Sequence, residues 1–210
     1  MSIARRLIAS SGGGEVEPFK FQLTVSAGQT YGLPLFSVAG TQPNIIVDWG
    51  DSSESTVTDV NDANRFHTYT SGGTYTVSII GSLPGFRVDN DTYKLLYSAI
   101  LEWGNVGLRS LNFYGCFSFT KITSVPNNLF DNNTNVSSFA STFNACTSLI
   151  SVPNELFRYN TTVINFSSTF RNNRALTNIP TFQYNQNVSI FLNVFNMSST
   201  NNGSSNWGTV

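Results

Sequence analysis

The residues that could do chemistry in this 210-residue chain are few and far apart. It has one histidine, His67, and no serine or cysteine beside it forms a nucleophile motif. Metal-binding spacings such as Cys-x-x-Cys or His-Glu-x-x-His are absent. Asp131 and Glu155 are isolated acids, whereas a glycosidase needs two carboxyl groups about 5–10 Å apart in a cleft. We therefore predict that the chain is not an enzyme and needs no cofactor.

Calcium is the metal that the acidic residues could bind, because Asp48, Asp51, Asp59 and Asp62 would offer oxygen ligands. Their spacing does not match the alternating Asp/Asn pattern of a known calcium loop. We expect Asp51 to cap its own turn through a hydrogen bond from side chain to backbone. The prediction is no metal site, although the sequence leaves calcium binding open.

The composition excludes several partners. Only 11% of the residues are charged and the net charge is −1, so binding to nucleic acid through phosphate neutralisation is not expected. No run approaches the ~18 apolar residues that span a bilayer, so we predict no membrane partner. Cys116 and Cys146 are too few for a disulfide framework and are expected to be small buried side chains.

Short segments of alternating polarity, separated by turn residues, occupy residues 18–88. Apolar and polar side chains alternate along 19–25, and further strand-like segments cover 45–49 and 74–80. No helix-length periodic run lies between them. This spacing predicts a β-sandwich of modest size.

Three motifs in this part resemble the PKD domain, a family of immunoglobulin-like sandwiches. They are VDWGDS at 47–52, HTY at 67–69 and GTYTV at 73–77, in the family's order. Ser52 departs from the family's usual glycine. The resemblance implies a spacer or binding module without catalytic activity, in which His67 has a structural role on a strand at the sandwich edge.

A 27-residue repeat fills residues 104–198. The segment SVPNNLF at 124–130 recurs as SVPNELF at 151–157, and a final unit is two residues shorter. Periods of 20–29 residues are typical of leucine-rich-type solenoids, in which each turn buries its apolar side chains only against its neighbours. The predicted repeat core consists of Phe139, Phe143, Leu149, Val152, Phe166, Phe170, Leu176 and Ile179.

The segment FNACTSL at 143–149, with Val152-Pro153 behind it, resembles the BspA-like leucine-rich repeats. Residues 100–105 are similar to the capping lead-in of such arrays. The predicted fold is mainly β: an Ig-like (PKD-type) β-sandwich followed by a short leucine-rich-repeat-type solenoid. The domains would be an N-terminal arm with a glycine linker (1–17), the sandwich (18–88), the solenoid with its cap (89–198) and a polar tail (199–210).

The BspA-like resemblance implies a surface protein, either a bacterial adhesin or a bacteriophage virion protein. Residues 1–14 lack the 7–15 apolar residues of a secretory signal, and the C-terminus shows no anchor. We therefore expect a virion protein, assembled in the host cytoplasm, as a capsid decoration, head-fibre or tail-fibre subunit. A bacterial cell-surface adhesin or an interaction scaffold is the alternative.

In the virion interpretation, the N-terminal arm would bind other capsid or tail proteins. Its docking residues would be Arg5, Arg6, Leu7 and Ile8. The solenoid would face outward, toward a glycan or protein of the host surface. Self-association into a homo-oligomer is also compatible with exposed end turns. The sequence identifies neither the ligand nor the position on the virion.

Overall fold

The structure is a computed structural model that describes residues 17–88, 92–106, 115–118 and 120–195. These residues are mainly β, with two three-residue 3-10 helices, Ala63–Arg65 and Lys94–Leu96. Neither helix has the length that a membrane crossing requires, and no other helix occurs in the described ranges. The strands are β1 (Phe19–Val25), β2 (Gln29–Gly32), β3 (Asn44–Asp48), β4 (Glu54–Val57), β5 (Phe66–Tyr69), β6 (Gly73–Ser82) and β7 (Tyr97–Glu102).

Two antiparallel sheets form the N-terminal part of the described chain. The larger has the strand order β4-β3-β6-β1-β7, and the smaller pairs β2 with β5. The arrangement is consistent with a β-sandwich, and the predicted mainly β class is confirmed. Strand β7 lies in residues that the sequence assigned to the solenoid and its cap, yet it pairs with β1. The same segment therefore closes the sheet and leads into the repeats.

The alternation of side chains along β1 determines which face of the strand packs on the core. Its buried and less buried side chains alternate along Phe19–Val25, so one face contacts the core while the other carries polar groups. On the polar face, Lys20 Nζ forms an ion pair with Glu102 Oε2 of β7 at 2.8 Å. Thr24 and Thr74 hydroxyls meet across the β1–β6 pair at 3.1 Å. These cross-strand pairs support the register that the apolar face selects.

Large aromatic side chains fill the core beneath the sheets. The hydroxyl groups of Tyr31 and Tyr97 form a hydrogen bond inside it, and Tyr69 donates its hydroxyl to the Trp49 carbonyl at 3.1 Å. Burial and the nearby charge of Asp51 raise the pKa of the Tyr69 phenol, which therefore stays protonated as a donor. These three tyrosine hydroxyl groups thus form hydrogen bonds within the aromatic core.

Trp103 joins the sheet core to the repeat core. Its ring lies 4.3 Å from that of Phe19, in β1, and 5.8 Å from that of Phe117, measured between centroids. All three side chains are fully buried. One hydrophobic cluster therefore runs from the sheets into the repeats.

Successive repeat units lie side by side. We name them unit A (124–150), unit B (151–177) and unit C (from 178). Parallel bridges join Ser124 to Ser151 and Ser138 to Asn165. Backbone hydrogen bonds run from each unit to the next, as from Phe143 N to Thr169 O at 2.9 Å. The sequence period therefore corresponds to a repeated hydrogen-bond pattern between units.

Phenylalanine rings at equivalent positions form three rows across the units. Along the first row, centroids are 5.7, 5.5 and 5.6 Å apart and the rings are nearly parallel. Such offset contacts add to the energy of apolar burial. The rows are Phe117, Phe143, Phe170 and Phe195; Phe139, Phe166 and Phe191; and Phe130, Phe157 and Phe182.

Most of the residues predicted for the repeat core are inside it. The fully or almost fully buried ones are Phe139, Phe143, Leu149, Val152, Phe166 and Phe170. Leu176 is half-buried against the same cluster. Ile179 is 44% exposed, so its predicted burial was wrong. Val152, at the equivalent position of unit B, is covered by unit C. Ile179 belongs to unit C itself, and the structure describes no further unit that would cover it.

Candidate functional site

The only histidine forms a compact cluster with Trp49 and Asp51. His67, on β5, places its Nε2 2.7 Å from Oδ2 of Asp51, in the turn between β3 and β4. Its ring stacks on Trp49 at 5.0 Å between centroids and 12° between planes. The Tyr69 ring also contacts the His67 ring, at 4.6 Å between centroids and 89° between planes. The cluster ties the β3–β4 turn to the smaller sheet, as the predicted structural role of His67 requires.

Asp51 also caps its turn, as predicted. Its Oδ1 accepts hydrogen bonds from the backbone N–H of Ser53, at 3.1 Å, and from the Ser53 hydroxyl. Burial alone would raise the pKa of Asp51, but the hydrogen bonds from Ser53 and His67 outweigh it and hold that pKa below its ordinary value. Asp51 is therefore a bound carboxylate whose oxygens are already occupied.

The depressed pKa of Asp51 predicts a loss of stability in acid. A group with a lowered pKa in the folded state stabilises the protein above its ordinary value, 3.8, and loses this contribution as pH falls through the folded value. We expect Asp51→Asn to lower the free energy of unfolding at neutral pH and to flatten its decline in acid. Urea unfolding from about pH 7 to about pH 2.5 measures both effects. Asp59→Asn, which removes an aspartate without touching His67, is the control; identical profiles for the two variants would contradict the assignment.

The other aspartates considered as calcium ligands serve their own turns. Asp48 accepts from Gly50 N at 2.9 Å, Asp59 from Asn61 N at 2.7 Å, and Asp62 from Asn64 N at 2.9 Å. In the ranges that the structure describes, no three His, Cys, Asp or Glu side chains are grouped to hold a metal ion. The arrangement of these aspartates is that of Asx turns.

A different cluster lies on the surface of units B and C. We call Glu155, Arg158, Tyr159 and Tyr184 the tyrosine–carboxylate patch. Arg158 donates to Glu155 Oε2 at 2.9 Å and to the Tyr159 hydroxyl at 2.7 Å, and its guanidinium lies over the Tyr159 ring. Tyr184, from unit C, donates its hydroxyl to the second oxygen of Glu155 at 3.2 Å. One hydrogen-bonded chain thus links four side chains of two units.

Arg158 also interacts electrostatically with both Asp131 and Glu155, the two acids that are isolated in the sequence. Burial raises the pKa of Asp131, and the charge of Arg158 offsets part of that rise. Asp131 and Arg158 stand one period apart, so side-by-side units bring them near one another. The sequence prediction missed Arg158, Tyr159 and Tyr184, although their positions in the repeat would have placed them on one surface.

The remaining predictions concern the cysteines and the arm. Cys116 and Cys146 are free and buried, as expected. Arg5, Arg6, Leu7 and Ile8, the predicted docking residues, lie outside the described residues, so their role stays a prediction.

The described residues therefore include a surface patch suited to hydrogen bonding and ring contacts, and a half-buried cluster that holds a turn. Comparison with family models, with curated proteins and with solved structures found no match to this chain.

Proposed function

We propose that this chain is a non-enzymatic structural protein of a bacteriophage virion, a capsid-decoration, head-fibre or tail-fibre subunit. In this proposal an Ig-like, PKD-type module carries a leucine-rich-repeat-type solenoid that faces the host surface. The observation that supports it best is the side-by-side packing of the repeat units, which gives a firm surface for attachment. The virion setting itself rests on the resemblance of the sequence.

Two kinds of contact support the solenoid interpretation. The phenylalanine rows cross the unit boundaries, so a unit buries its rings only when its neighbours are in place. The hydrogen bonds from Phe139 N to Asn165 O and from Phe166 N to Ile190 O, both 2.9 Å, repeat the same join in consecutive units. A stack held this way is stiff and presents its outer side chains at fixed intervals.

Buried asparagines add a third contact between units. Asn160 Nδ2 donates to the carbonyls of Phe130 and Asn133 at 3.1 and 2.9 Å. Asn185 repeats the arrangement one unit later, on Phe157 and Asn160 at 3.1 and 2.9 Å. Each of these carbonyls also accepts a backbone N–H of its own unit, so the amides add a second hydrogen bond that joins one unit to the next. Part of the high asparagine content thus serves the joints between units and not a ligand.

In this proposal each part of the chain has a separate role. The sheets and the repeats share one core through Trp103, so the repeats are carried on a firm base. The arm residues Arg5, Arg6, Leu7 and Ile8 would attach that base to capsid or tail proteins. The outer surface of the repeats, including the tyrosine–carboxylate patch, remains available to a host glycan or protein.

Mass spectrometry of purified phage particles tests the placement. We expect the chain to be present in particles at a fixed ratio to the major capsid or tail protein. Removing residues 1–14 should abolish incorporation while the purified chain keeps its folding transition. Absence of the full chain from particles would refute the virion placement and leave the bacterial adhesin or scaffold as the interpretation. Full incorporation of the truncated chain would refute docking through the arm.

A further inference from the structure

The tyrosine–carboxylate patch is not required by the packing of the repeats. Tyr159 and Tyr184 are 45% and 37% exposed, and the side chains of Arg158 and Glu155 are 41% and 47% exposed. The three phenylalanine rows already supply the aromatic core of these units. Large aromatic side chains left partly in water, with polar groups beside them, are typical of binding surfaces.

The patch is organised before any ligand arrives. Arg158 holds the Tyr159 ring through a hydrogen bond to its hydroxyl and through the guanidinium above the ring. The two oxygens of Glu155 accept hydrogen bonds from Arg158 and Tyr184. Side chains already held in one arrangement lose less conformational entropy on binding than free ones. The network therefore favours recognition by fixed donors, acceptors and ring surfaces.

The patch extends along the stack. Tyr159 belongs to unit B, and Tyr184 stands 25 residues later at the equivalent position of the shortened unit C. The equivalent position of unit A is Asn132, whose amide donates to Glu17 Oε2 at 2.6 Å. A ligand lying across the units would thus meet a tyrosine on each of the last two. This geometry suits an elongated ligand with repeating groups.

We infer that the tyrosine–carboxylate patch binds a neutral oligosaccharide of the host surface. The inference rests on the proposed attachment function and names its ligand class. A pyranose ring has an apolar C–H face, which fits a tyrosine ring, and adjacent hydroxyl groups, which fit the paired donors and acceptors of Arg158 and Glu155. Because the Arg158 charge is matched by the Glu155 carboxylate, the patch has no free cation to select a phosphate, sulfate or sialic acid.

Polarity favours a sugar over a protein at this place. Each of the four side chains brings a polar group, so hydrogen-bonding groups border both tyrosine rings. Protein interfaces place their strongest contacts in an apolar, desolvated centre. A glycan instead needs ring faces bordered by hydrogen-bonding groups.

Binding of the full chain to immobilised oligosaccharides tests the inference. The probes are neutral hexose and N-acetylhexosamine oligomers, with sialylated and sulfated oligomers beside them. We expect the chain to bind neutral members, and Tyr184→Ala to weaken that binding about fivefold, since a lost aromatic contact is worth roughly 1 kcal/mol. Glu155→Gln, which keeps the shape of the side chain, should weaken it less. Ile164→Ala, which changes an exposed side chain of unit B that forms none of the patch's hydrogen bonds, is the matched control and should leave binding unchanged.

The outcomes separate this inference from the proposed function. Binding of neutral oligomers that Tyr184→Ala does not reduce, binding of acidic oligomers alone, or no binding to any oligomer would each overturn the inference. Loss of host-cell binding on protease treatment but not on periodate oxidation of the cell glycans would assign a protein partner and overturn it too. Presence in particles without sugar binding leaves the virion proposal standing, whereas sugar binding by a chain absent from particles leaves only the inference.

Discussion

Replacing Phe143 with alanine is expected to lower the free energy of unfolding by about 3–5 kcal/mol. The ring is fully buried and stands in the first phenylalanine row, 5.7 Å from Phe117 and 5.5 Å from Phe170 between centroids. It also contacts Phe130 of the third row. Alanine would leave a cavity bounded on both sides by rings that the hydrogen bonds between units hold in place. Urea unfolding followed by circular dichroism measures the change.

Two companion variants give the prediction its scale. Phe143→Leu keeps most of the apolar volume but loses the ring contacts, so it should cost clearly less than the alanine change. Ile150→Ala alters a side chain of the same unit that is 51% exposed and should change stability by less than about 0.5 kcal/mol. If Phe143→Ala behaved like Ile150→Ala, the rows would not be what stabilises the repeats.

The period of the sequence predicts the rows because equal side chains at equal spacing must meet when units lie side by side. Phe139 and Phe166 are one period apart, and their rings stack at 5.7 Å and 9°. The two-residue shortening of unit C concealed Phe182, which stacks on Phe157 at 5.8 Å. The 27-residue period alone predicted that Ile179 would be buried in the repeat core. Ile179 is exposed because it lies in the last described unit of the stack, and the repeat pattern does not show where the stack ends.

The sequence patterns did not predict which distant segments contact one another. The pairing of β7 with β1 joins residues about eighty positions apart, and local alternation says which segments are strands, not which strands pair. His67 and Asp51 meet because the turn after β3 folds over the smaller sheet, which no spacing rule encodes. The tyrosine–carboxylate patch was missed because exposed side chains leave no burial pattern, and only the equivalent repeat positions of Tyr159 and Tyr184 relate them in the sequence.

Replacing Trp103 with alanine should lower the free energy of unfolding by about 3–5 kcal/mol and should weaken both parts of the molecule. The indole is fully buried and contacts Phe19 on the sheet side and Phe117 on the repeat side. Because the hydrophobic cluster is continuous through it, the cavity would loosen the packing in both directions. Trp103→Phe keeps a ring in the joint and should cost less.

Hydrogen exchange distinguishes a shared core from two adjoining ones. The Phe117 amide donates to Thr142 O at 2.9 Å on the repeat side, and the Phe21 amide lies in β1. We expect Trp103→Ala to speed exchange at both amides, because local openings follow the contacts that hold each segment. Val57→Ala, a buried change in the edge strand β4, should speed exchange in the sheets but leave Phe117 protected. Protection of Phe117 in Trp103→Ala as well would mean that the repeats hold together without the joint, and that the sheets only adjoin them.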